Sequence, residues 1–263
     1  MNIDPQFLDV DFSAQPQFVR GDNGSRPFRS ALRVYEAEVP QVPESEWPAE
    51  AEKLEAGGGL EWLVTRIMNQ GNFGSCVGHA GTQQHQIIQA KVFGIDKVVQ
   101  LSPVSLYQLI GRSANSGANI NDALDEGTDK GIIPLDSPEN RATFGTVVMP
   151  SADFYARRPI GWEAVAQRFR FDESFVVETV GGMMSALFNG HPIVVGRAGH
   201  SICYVRPTYD NGKLNVMYVN SWSPEWGQAA GKHPGGFGFD SMNLIRQSAQ
   251  WCYALRSIIN PGT

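Results

Sequence analysis

The chain has few cysteines, no long apolar run and no excess of basic residues, and each absence excludes a class of protein. Its 263 residues include three cysteines, too few and too widely spaced for a disulfide-stabilised scaffold. No uninterrupted apolar stretch reaches about 18 residues, so the sequence predicts no membrane-spanning helix. There are 21 Lys and Arg against 27 Asp and Glu, a net charge of −6, which argues against general nucleic-acid binding.

The sequence predicts neither a secretory signal nor a metal centre. The first ten residues carry acidic side chains and no basic cluster, unlike a secretory signal. We expect free thiols in a reducing compartment, either the cytoplasm or a virion if a phage encodes the chain. Cys76 and His79 are three residues apart but have no second pair, so we expect no metal and no other cofactor. We interpret His85 and His233 as surface residues.

Residues 1–60 differ in composition from the rest of the chain. They hold 11 acidic and 5 basic residues, so the whole net charge lies here and the remainder is neutral. Six of the 16 prolines also fall here, and proline interrupts helices and strand ladders alike. We interpret this segment as an extended acidic arm with at most short ordered pieces, which could contact protein neighbours in an assembly. One compact domain would follow over residues 61–263.

That domain changes from a helical to a strand pattern along its length. Apolar residues recur at helical spacing from Val77 to Ile88, and Ser102-Pro103 is typical of a helix start. After residue 190 the apolar period is two, which predicts strands near 192–195, 201–205, 214–218 and 251–255. Asp210-Asn211-Gly212 is typical of a hairpin turn between two of these strands.

This change of pattern predicts an α+β fold with two halves. A helical half, about 61–150, would pack against an antiparallel β half, about 151–263. A cleft between two such halves is a common location for a functional site.

The stretch Gln70-Gly-Asn-Phe-Gly-Ser-Cys76 is the most informative part of the sequence. Its two glycines form a loop that leads into the predicted helix, so Cys76 lies at a helix N-terminus. The positive end of the helix dipole lowers the pKa of a thiol there, and the free N–H groups of the first turn can bind a developing oxyanion. Gln70 can direct a side-chain N–H to the same place.

A thiol nucleophile needs a base, and the predicted hairpin supplies one. His200 opens one hairpin strand and Asn220 follows the other, so the turn brings them together. Asn220 can then accept a hydrogen bond from one ring nitrogen and leave the other for the thiol. Trp222 would shield this contact from water and so strengthen it. Each residue alone has an ordinary structural explanation, and the joint pattern is what indicates thiol chemistry.

Three blocks in this order, Gln70-Gly-x-x-Gly-Ser-Cys76, Gly199-His200 and Asn220-Ser-Trp222, resemble the signature stretches of papain-like cysteine peptidases. The resemblance covers about residues 61–260. It implies a papain-like fold in which Cys76 is the nucleophile, His200 the base, and Asn220 the residue that orients His200. Gln70 and the Cys76 N–H would form the oxyanion hole. The implied partner is a peptide or protein substrate, with no nucleic acid and no membrane.

The same resemblance implies a substrate groove formed by Gly117, Ala118, Gly199 and Trp222. Gly117 and Ala118 lie where family members carry a glycine pair whose backbone pairs with an extended substrate. The chain departs from the family where only residues 196–199 separate a strand from His200, because family members usually have a longer excursion there. We expect the groove to be open on that side or covered by another segment, such as the arm.

Other interpretations remain open. The fold could serve a structural or assembly role in a large particle such as a phage virion, with vestigial activity or a single maturation cut. The arm could be an inhibitory pro-segment, although its prolines disfavour the helices usual in such segments. Acyl transfer without proteolysis uses the same three groups, but the Gln70 loop and the Asn220-Ser-Trp block favour a peptidase.

Overall fold

The structure is a computed structural model that describes residues 2–15, 21–23, 33–247 and 252–259. Within these residues the chain forms nine α-helices and eight β-strands. The helices are α1 (Tyr35–Glu38), α2 (Trp47–Gly57), α3 (Cys76–Phe93), α4 (Pro103–Ile110), α5 (Ile120–Asp129), α6 (Pro138–Phe144), α7 (Trp162–Ala166), α8 (Val180–Phe188) and α9 (Met242–Gln247). The strands are β1 (Arg33–Val34), β2 (Phe171–Val177), β3 (Ile193–Arg197), β4 (His200–Asp210), β5 (Lys213–Val219), β6 (Gln228–Ala230), β7 (His233–Ser241) and β8 (Cys252–Ile258).

The strands form one sheet in the order β1-β2-β8-β3-β4-β5-β7-β6. Neighbouring strands are antiparallel except for β1, which pairs parallel to β2. The predicted hairpin is confirmed as β4–β5. Asn211 and Gly212 turn it with φ of 48° and 76°, the left-handed conformation that a two-residue hairpin loop requires. Trp251, the first residue of the last predicted strand, lies outside the described residues.

Helices α4 and α5 pack on α3, which lies between α4 and the sheet strands β4 and β8. The predicted helix start is confirmed at α4, where the Ser102 hydroxyl accepts the Ser105 N–H at 3.3 Å and Pro103 occupies the first turn. This mixed architecture confirms the predicted α+β class. In the described part of the chain, no helix has both the length and the apolar character to cross a bilayer.

Helix α3 is buried on nearly every side, although it carries many polar residues. Fifteen of its 18 residues are buried. Gln84 donates from Nε2 to the carbonyls of Pro192 at 2.8 Å and Tyr253 at 3.1 Å. His85 is fully buried, and burial lowers its pKa to about 3. The prediction that His85 lies on the surface is therefore wrong, because glutamine amides that bind backbone carbonyls allow a polar helix to be a core helix.

Residues 33–60 contain more regular structure than the extended arm expected from the composition of residues 1–60. Residues 47–57 form α2, because Pro48 lies in its first turn, where a missing N–H costs no hydrogen bond. Strand β1 extends the sheet by pairing with β2. Residues 2–15 lie against the domain, where Leu8 forms a bridge to Phe239 of β7.

A buried ion pair connects this N-terminal segment to the sheet. Arg197 of β3 pairs with Asp240 of β7, and their side chains are 6% and 0% exposed. Tyr204 donates its hydroxyl to the same carboxylate at 2.6 Å. Arg197 also donates to the carbonyl of Val10. One guanidinium therefore fixes both the β7 carboxylate and the path of the N-terminal segment.

Removing the carboxylate of this pair is expected to destabilise the protein strongly. The substitution Asp240→Asn leaves the Arg197 charge buried without its counter-charge, a situation that costs about 3–5 kcal/mol. Urea unfolding followed by fluorescence measures this loss. The control is Arg246→Met, because the Arg246–Glu44 pair is 51% and 67% exposed and such pairs contribute less than about 1 kcal/mol. Equal losses in both variants would contradict the prediction.

Candidate active site

Cys76 is the first residue of α3, as the loop pattern predicted, and it is fully buried. The loop before it turns at Gly71, whose φ is 57°. The N–H of Gly74 donates to the Ala114 carbonyl at 2.9 Å and so fixes the end of the loop beside the helix start. The thiol therefore lies where the unpaired N–H groups of a helix N-terminus begin.

Gln70 is fully buried, and its side-chain amide is held at both ends. Its Oε1 accepts the hydroxyl of Ser221 at 2.7 Å, and its Nε2 donates to the Phe73 carbonyl at 2.9 Å. The Gln70 N–H also donates to the Ser221 carbonyl at 2.9 Å. These bonds join the Gln70 loop to the segment that follows β5 and fix which end of the amide carries hydrogen.

His200 and Asn220 are in direct contact, as the hairpin predicted. The His200 Nε2 and Asn220 Oδ1 atoms are 2.7 Å apart. The backbone N–H of Ser221 donates to the same Oδ1 at 2.7 Å, which identifies that atom as the amide oxygen. Since an oxygen can only accept here, Nε2 carries the hydrogen and Nδ1 is the basic nitrogen of the neutral ring.

Aromatic rings enclose this histidine. Trp222 stacks on the imidazole at a centroid distance of 4.5 Å and an interplanar angle of 30°, which agrees with the expected shield. Phe12, from the N-terminal segment, meets the imidazole at 4.8 Å and 68°. No local pattern pointed to Phe12, because 188 residues separate it from His200 in the sequence.

The thiol lies beside the strand that carries the imidazole. The backbone N–H of Ser201, the residue after His200, points to the sulfur of Cys76, as do the N–H groups of Gly21 and Val77. Burial nevertheless raises the pKa of Cys76 to about 12, and the nearby Asp22 carboxylate adds to this rise. The prediction of a lowered thiol pKa is therefore wrong for this conformation, because the thiol is covered and next to a negative charge.

A short piece of the arm, residues 21–23, covers the thiol and fills the predicted groove. The Ala118 N–H donates to the Gly21 carbonyl at 2.7 Å, and the Ala118 carbonyl accepts the Asn23 N–H at 2.8 Å. Across the groove, the Asp22 N–H donates to the Gly199 carbonyl at 3.0 Å. The two predicted groove walls thus hold one extended strand between them, and the arm covers the side that the short 196–199 link leaves open.

The close approach of this segment depends on glycines. A side chain on Gly21 would place its Cβ 1.8 Å from the Gly74 carbonyl oxygen. Gly117 has a φ of 66°, and a Cβ there would lie 2.6 Å from the Gly21 carbonyl oxygen. The Asp22 side chain occupies the space beside Gly196. A Cβ added to Gly196 would lie 2.3 Å from Oδ2 of Asp22 and 2.6 Å from Cδ1 of Ile120.

Across residues 2–15, 21–23, 33–247 and 252–259, no three His, Cys, Asp or Glu side chains are placed to hold a metal ion. His79, one turn after Cys76, contacts the Ser75 carbonyl through Nδ1 at 2.9 Å. Burial lowers the pKa of His79 to about 4, so it is a neutral core histidine.

Comparisons with known proteins identify the fold. Models of known protein families give no match, and no curated protein is similar in sequence. Xylellain, a cysteine protease from Xylella fastidiosa, matches with a TM-score of 0.59 and 16% identity, over 91% of this chain and 97% of its own. Digestive procathepsin L2 from Tenebrio molitor larval midgut matches with a TM-score of 0.61 and 15% identity, over 98% and 84%. The ragweed pollen protease Amb a 11, in its proform, matches with a TM-score of 0.57 and 17% identity, over 85% and 69%.

The chain therefore has the papain-like cysteine protease fold, which confirms the resemblance drawn from the three sequence blocks. The three structures named share 15–17% identity with this chain, so they establish the fold, and the chemistry has to be argued from the residues of the site.

Proposed function

We propose that the chain is a cysteine-type peptidase whose groove is closed by its own arm in this conformation. The observation that carries the proposal is the oriented His200–Asn220 pair, together with a thiol at a helix N-terminus that the N–H of Ser201, the residue after His200, faces. Cys76 is the nucleophile and His200 the base, while Asn220 fixes the ring tautomer. Gln70 and the Cys76 N–H bind the oxyanion.

The mechanism follows from which atom holds each proton. When the groove opens, the Cys76 thiol transfers its proton to Nδ1 of His200, and the thiolate attacks the carbonyl carbon of a peptide bond. The carbonyl oxygen becomes an oxyanion at the helix N-terminus. Its collapse breaks the C–N bond, and the imidazolium protonates the departing amine. Water, deprotonated by His200, then hydrolyses the thioester and regenerates the thiol.

The groove suits an extended peptide or protein segment. On one wall, Ala118 offers its backbone N–H as a donor and its carbonyl as an acceptor. On the facing wall, the Gly199 carbonyl is an acceptor. The arm forms a hydrogen bond with each of these three backbone groups. These groups belong to the backbone, so they recognise an extended main chain of any sequence. The space beside Gly196, filled here by the Asp22 side chain, is where a substrate side chain would be selected.

The arm lies in the groove in an orientation that protects it from cleavage. The Gly21 N–H faces the sulfur of Cys76. The Gly21 carbonyl is turned away to the Ala118 N–H, and the next N–H is held by Gly199. Both polar groups of the Gly21–Asp22 peptide bond are therefore held by the groove walls, and in this proposal the arm acts as an inhibitor rather than a substrate. Two of the matched structures are likewise proforms.

An assembly role has less support from the geometry. The described residues of the arm pack on the chain itself: Tyr35, Trp47 and Phe12 belong to one core cluster with strands of the sheet. A segment used in this way presents little of its apolar surface to a neighbour. We therefore keep the assembly role, including the phage virion, as the second hypothesis.

A peptidyl epoxide or vinyl sulfone probe tests the proposed function. We expect it to label the Gly21→Ala variant, in which the groove is opened, at Cys76. Cys76→Ala in the same background is expected to remove both labelling and peptide hydrolysis, a loss of at least about 10³-fold because no other nucleophile is in place. Labelling is located by mass spectrometry of the modified peptide.

The control is Cys203→Ala, which removes a buried thiol of β4 that lies in a different core cluster. This variant should be labelled and active like its parent. If the folded, opened chain resists the probe while the denatured chain reacts, the proposed function is wrong. Cross-linking of glutamine side chains without peptide hydrolysis would instead indicate an acyltransferase.

A further inference from the structure

Residues 2–15 of the arm are hydrogen-bonded to the sheet beside the candidate active site. The Asp9 N–H donates to the Phe239 carbonyl at 2.8 Å, and the Asp9 side chain accepts the Ser241 N–H at 2.6 Å. Asp11 caps the short turn that follows, accepting the Ser13 N–H at 2.8 Å. These bonds fix the segment on both sides of Phe12.

Phe12 is fully buried and contacts both rings at the centre of the site. Its ring lies 4.8 Å from His200 and 5.2 Å from Trp222, edge-on to each. On another side the guanidinium of Arg197 lies 4.5 Å from the Phe12 centroid, and this arginine also binds the Val10 carbonyl. Phe12 is thus held in place by the buried Arg197–Asp240 pair.

The imidazole needs such a support. Its bond to Asn220 fixes Nε2, but a ring held at one atom can still tilt about that point. Trp222 limits the tilt by stacking, and Phe12 limits it from a second direction at an angle of 68°. Both rings also keep water from the 2.7 Å bond between His200 and Asn220, which strengthens that bond.

We propose that Phe12 is a positioning residue for the catalytic imidazole, so that the N-terminal segment completes the site that residues 21–23 close. The inference rests on the proposed function, in which His200 is the base. It divides the arm into two parts with opposite effects: residues 21–23 block the groove, and Phe12 supports the base. A cut between them, or a shift of residues 21–23 alone, would release activity, whereas loss of residues 2–15 would impair it.

The test compares Phe12→Ala and Phe12→Leu in the Gly21→Ala background, with active sites counted by an irreversible thiol probe. We expect kcat per titrated site to fall about 10–100-fold in Phe12→Ala, because small misplacement of a catalytic group has effects of this size. KM should stay within about twofold, because the groove backbone is untouched. Phe12→Leu refills much of the space and should recover most of the loss. Phe7→Leu is the control, because Phe7 belongs to the same segment but its ring contacts Trp226, at a centroid distance of 5.6 Å.

Counting active sites separates positioning from folding, because a purely structural role lowers the number of sites and leaves kcat per site unchanged. The NMR signal of the His200 Nε2–H gives a readout without turnover, and we expect it to be sharp in the parent and exchange-broadened in Phe12→Ala. An unchanged kcat per site together with an unchanged ring signal would overturn the inference while leaving the peptidase proposal intact. Failure of Cys76 to label in the parent would instead overturn the peptidase proposal.

Discussion

Replacing Gly21 by Ala is expected to raise the alkylation rate of Cys76 by about three orders of magnitude at neutral pH. The new Cβ would lie 1.8 Å from the Gly74 carbonyl oxygen, so residues 21–23 cannot keep their place. Their departure exposes the thiol and removes the Asp22 carboxylate from it. The pKa of Cys76 should then fall from about 12 to its ordinary value or below. A fall to about 8.5 raises the thiolate fraction roughly 10³-fold.

Iodoacetamide, with the modified peptide quantified by mass spectrometry over time, measures this rate. Cys203 and Cys252 are buried thiols of the same chain and serve as internal references for global unfolding. The matched control is Gly57→Ala, a site where an added Cβ meets no atom within 4 Å. If Cys76 in Gly21→Ala reacts as slowly as in Gly57→Ala, residues 21–23 do not control access to the thiol.

The contacts that sequence reasoning recovered are those fixed by short loops. The two-residue turn pairs β4 with β5, and although the register shifts once between Tyr204 and Arg206, the Asn211-Gly212 signal was enough to predict that His200 and Asn220 meet. Glycines in the Gln70 loop placed Cys76 at the start of α3 in the same way. In each case a few neighbouring residues determine the geometry, and a sequence pattern can therefore express it.

The arm could not be placed in this way. Asp22 meets Gly199 across 177 residues, through backbone groups that every residue carries, so no side-chain pattern marks the contact. The one feature of the sequence that bore on this contact was the short link before His200, residues 196–199. It indicated only that the groove would be open on that side or covered by another segment. The protonated state of Cys76 depends on that cover, which is why the dipole argument alone gave the wrong direction for its pKa.

Helix α3 shows a second limit of pattern reasoning. The polar side chain of His85 indicated a surface position, but His85 and its neighbour Gln84 are both fully buried. Their environment is made by backbone carbonyls of distant segments, for example Pro192 and Tyr253. Hydrophobic periodicity describes only the polarity of the side chains along the helix. It carries no information about which backbone carbonyls of distant segments need a hydrogen-bond donor from that helix.

The buried histidines are expected to make the fold sensitive to acid. Burial lowers the pKa of His79 to about 4, of His85 to about 3 and of His191 to about 4. Below the unfolded value near 6.5, the unfolded chain therefore binds protons that the folded chain does not, and stability falls as the pH falls. Each histidine contributes about 1.4 kcal/mol per pH unit, so we expect a loss of about 4 kcal/mol between pH 8 and pH 5.5.

Urea unfolding at a series of pH values measures how the free energy of unfolding changes with pH. A single substitution shows how much of this slope comes from one histidine. Each of the three buried histidines binds one proton when the chain unfolds, and His85→Leu removes one of these protons because leucine does not titrate. Leucine also fills the space beside Phe171. The slope should fall by about a third. Ile88→Val, on the same buried helix, is expected to lower the free energy of unfolding equally at every pH. An unchanged slope in His85→Leu would contradict the prediction, because it would mean that this imidazole takes up its proton as readily in the folded chain as in the unfolded chain.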